Sequence, residues 1–589
     1  MKLAFDIEAN GLLDTITKIH CIEACDVETG KTYSFDPTQI EQGLDLLAQA
    51  DFLIGHNIIA YDLPALQKVH NFTTRATLID TLVVARLMYA DVGSRDTDLI
   101  QQGKLDKELY KRHSLKAWGQ RLGNYKGDYE GPWDTWSQEM QTYCAQDVQV
   151  TVALWHYLKP QGYSPLAVEL EHDIHRVCLL MEEQGWTFNK EKAVDLYGTL
   201  VKRRDELASQ LIAKFGTWRV VDKVFIPKRD NKTLGYLKGV EVTKYKTIEF
   251  NPNSRQHIEL KLRELGWKPT EYTPSGQAKL DEDILVDLPF PEAKLLVEHF
   301  IVEKRLGQLA DGDNGWLRVL SPDSRIHGRY NTMGTITGRA SHYSPNIGQV
   351  PANGAPYGHQ CRELFTAPTG WSMVGADMAG LELRCLAHYI SHFDGGEYAE
   401  VVLNGDVHTA NQKAAGLPTR DNAKTFIYAF LYGAGATKIG TIVSGTAKQG
   451  QELINRFMSN FPALKRLRSA VSQGAGKGYL KGLDGRHITI RSEHAALNSL
   501  LQGCGAILCK RWVVDAFNAI STKYRFGYDG DFVFCGWIHD EIQVACRTEI
   551  AQDVGHMLSE CARNAGQRYG FNVRLDSEFK VGTSWAETH

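Results

Sequence analysis

The stretch Val374–Tyr389 constrains this chain more than any other. The apolar run from Trp371 to Ala376 predicts a buried strand with Asp377 at its end. Gly380 breaks the pattern, and Leu381, Leu383, Leu386 and Tyr389 resume it at helical spacing. A carboxylate at a strand end suits a hard cation, because Mg²⁺ takes oxygen ligands and few of them from protein. A lone Asp in that place is more often a helix cap, so a second constraint is needed. It lies at Asp531–Cys546, where two apolar runs flank His539, Asp540 and Glu541 and predict a hairpin with its charges at the turn. Adjacent carboxylates between buried strands demand a counter-charge, since desolvating them alone is severe. A divalent metal pair shared by Asp377 and Asp540 would supply it and could run an in-line phosphoryl transfer.

Other stretches carry weaker signals of the same kind. In Leu3–Glu8 strict alternation places Asp6 and Glu8 on one face of a strand. Phe52–Leu66 reads as strand, loop and helix start, with Asp62 at the last. Met140–Leu154 predicts an amphipathic helix with Tyr143 and Asp147 four apart on one face. Thr419–Gly433 opens on cap-type residues and closes on a glycine, as a helix does. Steps of four set Arg420, Lys424, Tyr428 and Tyr432 on one stripe of it. A surface helix with snorkelling stems gives the same stripe. Facing Asp377 and Asp540, the stripe suits a ligand with phosphates at one end and a flat base at the other. Thr337–Pro351, rich in turn residues, predicts a structured loop.

Length and composition set limits. A chain of 589 residues predicts several domains. The net charge of −4 leaves any nucleic-acid surface to local basic patches. One such patch is visible: residues 160–310 read as mainly helical, with Lys214, Arg219, Lys223, Lys228, Arg229, Lys232, Lys238, Lys244 and Lys246 close together. That run is either a solvated loop or a grip on duplex phosphates. The 11 cysteines lack CxxC pairs and predict reduced, packed thiols and a cytoplasmic location. No apolar run approaches the ~18 residues of a membrane span. Gly474–Gly478 lacks Walker spacing, and no glutamate stands between His388 and His392 as in zinc proteases.

In order, Asp377 with Leu381-Glu382-Leu383-Arg384, then Arg420–Gly433, then His539-Asp540-Glu541 resemble the three polymerase motifs of family A DNA polymerases. They are most similar to those of the replicative enzymes of T-odd-type short-tailed phages. Asp6, Glu8, Asp62 and Asp147 with Tyr143 resemble the DEDDy 3′→5′ exonuclease family. The resemblance covers nearly the whole chain. It implies an α/β and α+β multidomain fold: an RNase H-like exonuclease (1–160), a connector (161–189), a thumb (190–310), a palm (311–405 and 500–589) and fingers (406–499). The implied activity is template-directed addition of dNTPs to a primer, with proofreading. The implied cofactor is Mg²⁺, two per active site and replaceable by Mn²⁺, on Asp377 and Asp540 in one site and Asp6, Glu8, Asp62 and Asp147 in the other. Glu541 takes a supporting role.

The same resemblance assigns Arg420, Lys424 and His408 to the triphosphate and Tyr428 to the sugar and base, where a tyrosine is associated with acceptance of dideoxynucleotides. It makes Glu382 a steric gate against a ribose 2′-hydroxyl, and Arg339, Gln349, Gln502 and His539 contacts to primer–template. The implied partners are primer–template DNA, dNTPs, a processivity factor, a helicase–primase and a single-strand binding protein. A monomer in the host cytoplasm is implied as well. The phage enzymes can carry a long thumb insertion for a host processivity protein. The roughly thirty-five residues between Phe215 and Asn251 are short for it. A single-subunit RNA polymerase shares the palm carboxylates and basic fingers helix, but the proofreading acids and Glu382 oppose it. A non-catalytic DNA-binding factor would gain nothing from clustered acids near phosphates.

Overall fold

The computed structural model describes residues 1–125 and 127–589. It divides into two compact units: Met1–Trp186, His327–Gln349 and Ala367–His589 in one, Thr187–Ile326 and Val350–Thr366 in the other.

The first unit opens with a mixed five-stranded sheet built from β1 (Lys2–Ala9), β2 (Ile19–Asp26), β3 (Thr32–Phe35), β4 (Phe52–Gly55) and β5 (Thr77–Asp80), in the order β3-β2-β1-β4-β5. β2 runs antiparallel to β1 and β3, while β4 runs parallel to β1 and β5. Alternation decides what each face buries. Leu3, Phe5 and Ile7 join one core with Ile22, Leu47 and Leu53. Ala4 packs on the other face against Val148 and Trp155 of a long helix, Gln138–Leu158. Asp6 and Glu8 share Ala4's face and so lie under that helix. Three further helices follow the strands, α1 (Asp62–His70) and α2 (Thr81–Met88), then the long one as α3, capped by the Ser137 hydroxyl. α4 (Pro165–Gln184) leads out of this region.

The second unit holds α5 (Lys190–Phe215) and α6 (Pro291–Leu306), packed together over Leu211, Ile258, Leu262 and Leu296. The basic run spans the end of α5, two strands and the turn that joins them: Lys214 is helical, Arg219, Lys223, Lys244 and Lys246 are on strands, and Lys228, Arg229, Lys232 and Lys238 are in the turn. β6 (Thr217–Phe225) and β7 (Val242–Glu249) pair as an antiparallel ribbon. Trp218, Val221 and Val224 stand opposite Ile248, Tyr245 and Thr243, β-formers whose pairing outweighs the helical trend around them. Most of the ribbon is exposed, its lysines included.

The first unit resumes with β8 (Trp371–Met378) and α7 (Leu381–Asp394), then α8 (Val407–Ala415), α9 (Arg420–Leu431), α10 (Ala447–Asn460) and α11 (Pro462–Ala475). The 28-residue α12 (Ala496–Lys523) is buried on nearly all sides. β9 (Phe532–Ile538), β10 (Glu541–Arg547), α13 (Ala551–Asn564) and β11 (Ser577–Gly582) complete the chain. β9, β10, β8 and β11, in that order, form an antiparallel sheet backed by α12 and α13. A buried ion cluster ties α4 to this part: Arg486 bridges Glu171 and Asp484 at 2.6 Å each, and Lys510 of α12 meets Glu171 at 2.5 Å. Two cations cancel two carboxylates there, which is what lets charge be buried. All 11 cysteines are free. Among the described residues, no helix is long and apolar enough to cross a membrane.

Candidate active sites

The turn between β9 and β10 is made of His539 and Asp540 alone, since Ile538 pairs with Glu541 across it. His539 has φ of 58°, the left-handed backbone that a tight hairpin turn demands. On β8, Asp377 pairs with Glu541, and the Met378 N–H donates to the Asp540 carbonyl at 3.0 Å. Register thus brings Asp377 and Asp540 to one end of the sheet. Asp377 is exposed to solvent yet flanked closely by protein. Its carboxyl is pushed up to about 7, first by that desolvation, then by Asp540 and Glu541. Asp540 is pushed up to about 6 by burial and then by Glu382, with Arg339 pulling the other way.

Glu541 is buried and fully engaged. Trp585 Nε1 and Gln543 Nε2 donate to one oxygen at 2.5 and 2.7 Å, and His589 Nδ1 lies 2.8 Å from the other. These contacts make it a prop beneath the turn. Carboxylates raised by burial and by neighbouring acids, Asp377 by Asp540 and Asp540 by Glu382, are what a divalent ion would relieve, so Asp377 and Asp540 fit one.

Beside Asp540 a recess of about 170 Å³ is bordered by Arg339, Glu382, Tyr432, Trp537 and His539. Tyr432 donates its hydroxyl to Glu382 Oε1 at 2.9 Å, and Arg339 lies 3.6 Å from the same oxygen. Tyr428, one turn back on α9, has its hydroxyl pushed up by burial and then by the charges of Glu382 and Asp540. His408 is pushed down by burial and then by Arg420 and Lys424, which gathers these three at one end of the helix. Arg420 is held by Asp406, the N-cap of α8, at 2.9 Å, and that contact keeps the Asp406 carboxyl well below its usual range. Gln502 on α12 accepts from Thr337 at 3.3 Å and donates to Asn498 at 3.0 Å. Gln349 sits in the short turn Ile347–Gln349 and does not border the recess.

A second acidic cluster lies on the N-terminal sheet. Asp6, Glu8, Asp62 and Tyr143 converge there. Asp62, buried at the start of α1, is pushed well up by burial and then by Asp6. Burial and then Glu8 and Asp6 raise Tyr143, whose ring packs on Tyr129 at 5.8 Å. Asp147 is buried one turn further along α3. These acids also suit a divalent ion. Two residues of this cluster carry no signal in the sequence. Tyr61 is pushed up to about 12 by burial and the acids Asp62, Glu8 and Asp6, and Cys144 follows Tyr143 directly. A tyrosine before a helix and a cysteine in an apolar run look like ordinary core residues. Trp585 and His589 are equally silent, because their partner Glu541 is far away in sequence.

Comparison with known proteins places this geometry. The model of "DNA polymerase family A" matches residues 230–587. The DNA-directed DNA polymerase of Enterobacteria phage T3 is 38% identical, with 100% of both chains covered. That of Escherichia phage T7 is also 38% identical, with 99% of both covered. Among solved structures, the POL domain of Pol1 from M. smegmatis in complex with DNA primer-template and dNTP is similar in fold. It has a TM-score of 0.74 and 18% identity over 100% of this chain and 96% of that one.

Proposed function

Because the chain belongs to DNA polymerase family A and is a DNA-directed DNA polymerase, we propose that Asp377 and Asp540 form its reaction centre for adding dNTPs to a primer 3′ end. We further propose that Asp6, Glu8, Asp62, Asp147 and Tyr143 form a proofreading 3′→5′ exonuclease centre. One observation carries the first reading. The β8–β10 register pairs Asp377 with Glu541, the neighbour of Asp540, and the charge of Asp540 is felt at Tyr428 of the basic helix α9.

A pair of divalent ions, Mg²⁺ with Mn²⁺ able to replace it, supplies Lewis-acid stabilisation when bound, and Asp377 and Asp540 would hold it. The chain's other residues position and neutralise, which is most of catalysis in phosphoryl transfer. Arg420 exchanges Asp406 for the triphosphate, joined there by Lys424 and His408. Glu382, fixed by Tyr432, fills the space a ribose 2′-hydroxyl would need, and Tyr428 stands beside the sugar. Arg339, Gln349, Gln502 and His539 meet primer–template, where minor-groove acceptors check pair shape rather than sequence. In the nuclease centre the four acids would hold ions, and the Tyr143 hydroxyl orients water toward the terminal phosphodiester.

The test is a time course on a 5′-labelled primer–template with Mg²⁺, with and without dNTPs. Lengthening with dNTPs and shortening without them supports both centres. Shortening alone removes the polymerase reading, and lengthening without any shortening removes the nuclease.

A further inference from the structure

Among the described residues, ligand-type atoms of three side chains come within 4.8 Å of one another at one place only: Asp6, Glu8 and Cys144. Asp62 and Asp147, the other acids of the nuclease centre, stand outside this set. Cys144 is fully buried, and its Sγ donates to Asp6 Oδ2 at 3.7 Å. The helix that carries Tyr143 and Asp147 thus turns a sulfur, between them in sequence, toward the two β1 carboxylates. Cys21 lies opposite Glu8 in the β1–β2 register and against the Cys144 thiol, so a second sulfur lines the same wall.

Building on the nuclease reading above, we propose that Cys144 is a ligand of the ion held by Asp6 and Glu8, so that this centre takes thiophilic divalent ions by a mixed sulfur–oxygen set. Distances support it. A four-coordinate ion with metal–sulfur near 2.3 Å and metal–oxygen near 2.1 Å separates sulfur from oxygen by about 3.6 Å. An octahedral Mg²⁺ site with oxygens at about 2.1 Å has edges near 3.0 Å. The 3.7 Å separation found here is a thiol-donated hydrogen bond, and its length is close enough to the first that an ion could replace the proton with little movement of the sulfur. Chemistry agrees, because thiolate ligands select softer ions, while carboxylates alone leave Mg²⁺ and Mn²⁺ on equal terms. On binding, the Cys144 S–H gives up its proton to solvent and the sulfur lone pair goes to the metal; no oxidation is involved.

The experiment uses the full chain, freed of metal by a chelator and titrated with Co²⁺ and with Cd²⁺, reading the sulfur-to-metal charge-transfer absorption. Wild type is expected to show a band that saturates at one ion per molecule. Cys144→Ser is expected to lose it and to bind Cd²⁺ about ten-fold or more weakly. The pair Asp6→Asn with Glu8→Gln is expected to lose the same band, while Asp377→Asn retains it. No band in wild type, or a band that survives Cys144→Ser, overturns the proposal. A band that survives the loss of both carboxylates also overturns it, because the sulfur then binds elsewhere. Primer shortening in Mg²⁺ is measured alongside. Its absence in a protein that shows the band refutes the nuclease reading and leaves the mixed metal site standing.

Discussion

At the scale of single residues, the proposed polymerase site holds carboxylates raised by burial and by neighbouring acids. Asp377 at about 7 and Asp540 at about 6 are both raised above the unfolded value of 3.8. A raised carboxyl contributes stability that is complete below its unfolded pKa and is lost as pH rises through the folded one. The metal-free protein is therefore expected to lose thermal stability between about pH 4 and about pH 7, and Mg²⁺ to restore most of it at the upper end. Asp377→Asn should abolish primer extension and raise the metal-free Tm at neutral pH. Melting curves in chelator settle the point, and an unchanged or lowered Tm contradicts it. Trp585→Phe keeps the ring on Trp186 but removes a donor from buried Glu541, a loss of about 1.5–3 kcal/mol by denaturant titration. The carboxylates were legible in the sequence because strand and turn patterns around Asp377 and Asp540 are local. The Trp585 and His589 contacts were not, since nothing near Glu541 announces partners that follow β11 more than forty residues later. Cys144 was hidden for another reason: a buried thiol is what any core contains.

At the scale of elements, α9 was readable from its caps and its stripe. The Thr419 hydroxyl accepts from the Asn422 N–H at its start, and Gly433 with φ of 76° lies just past its end. The β6–β7 ribbon was not, because a few alternating residues sit among strong helices and the basic run masks them. As built, the ribbon is a pair of strands with exposed lysines on a narrow base, and Arg219 and Lys244 lie over the rings of Tyr245 and Phe225. Replacing Lys228, Arg229 and Lys232 by glutamine should weaken primer–template binding across all sequences alike. It should also flatten the salt dependence, by about 0.9 in log–log slope for each phosphate no longer neutralised. Binding measured at several salt concentrations tests this. An unchanged slope would show that the ribbon does not meet DNA.

At the scale of the whole molecule, the Glu171, Asp484, Arg486 and Lys510 cluster decides how the first unit behaves. Lys510→Met leaves Glu171 buried with Arg486 as its one remaining cation, and should cost about 3–5 kcal/mol. Adding Glu171→Leu to it leaves Arg486 balanced by Asp484 alone and should recover part of that loss. Calorimetry on the single and double variants distinguishes the two outcomes, and equal losses would contradict the account. The cluster was out of reach of sequence reasoning, which has no means to pair Glu171 with Arg486 across more than three hundred positions. Its consequence is one of heredity and of engineering. The residues that lead away from the N-terminal sheet belong chemically with the later part of the chain, because α4 supplies the carboxylate that Lys510 meets and that shares Arg486 with Asp484. If the proposed nuclease is cut out as a portable piece, the cut that spares this cluster lies ahead of Pro165. A recombinant that joined a foreign nuclease at Gln184 would inherit Lys510 without its carboxylate at the seam, while Arg486 would keep Asp484.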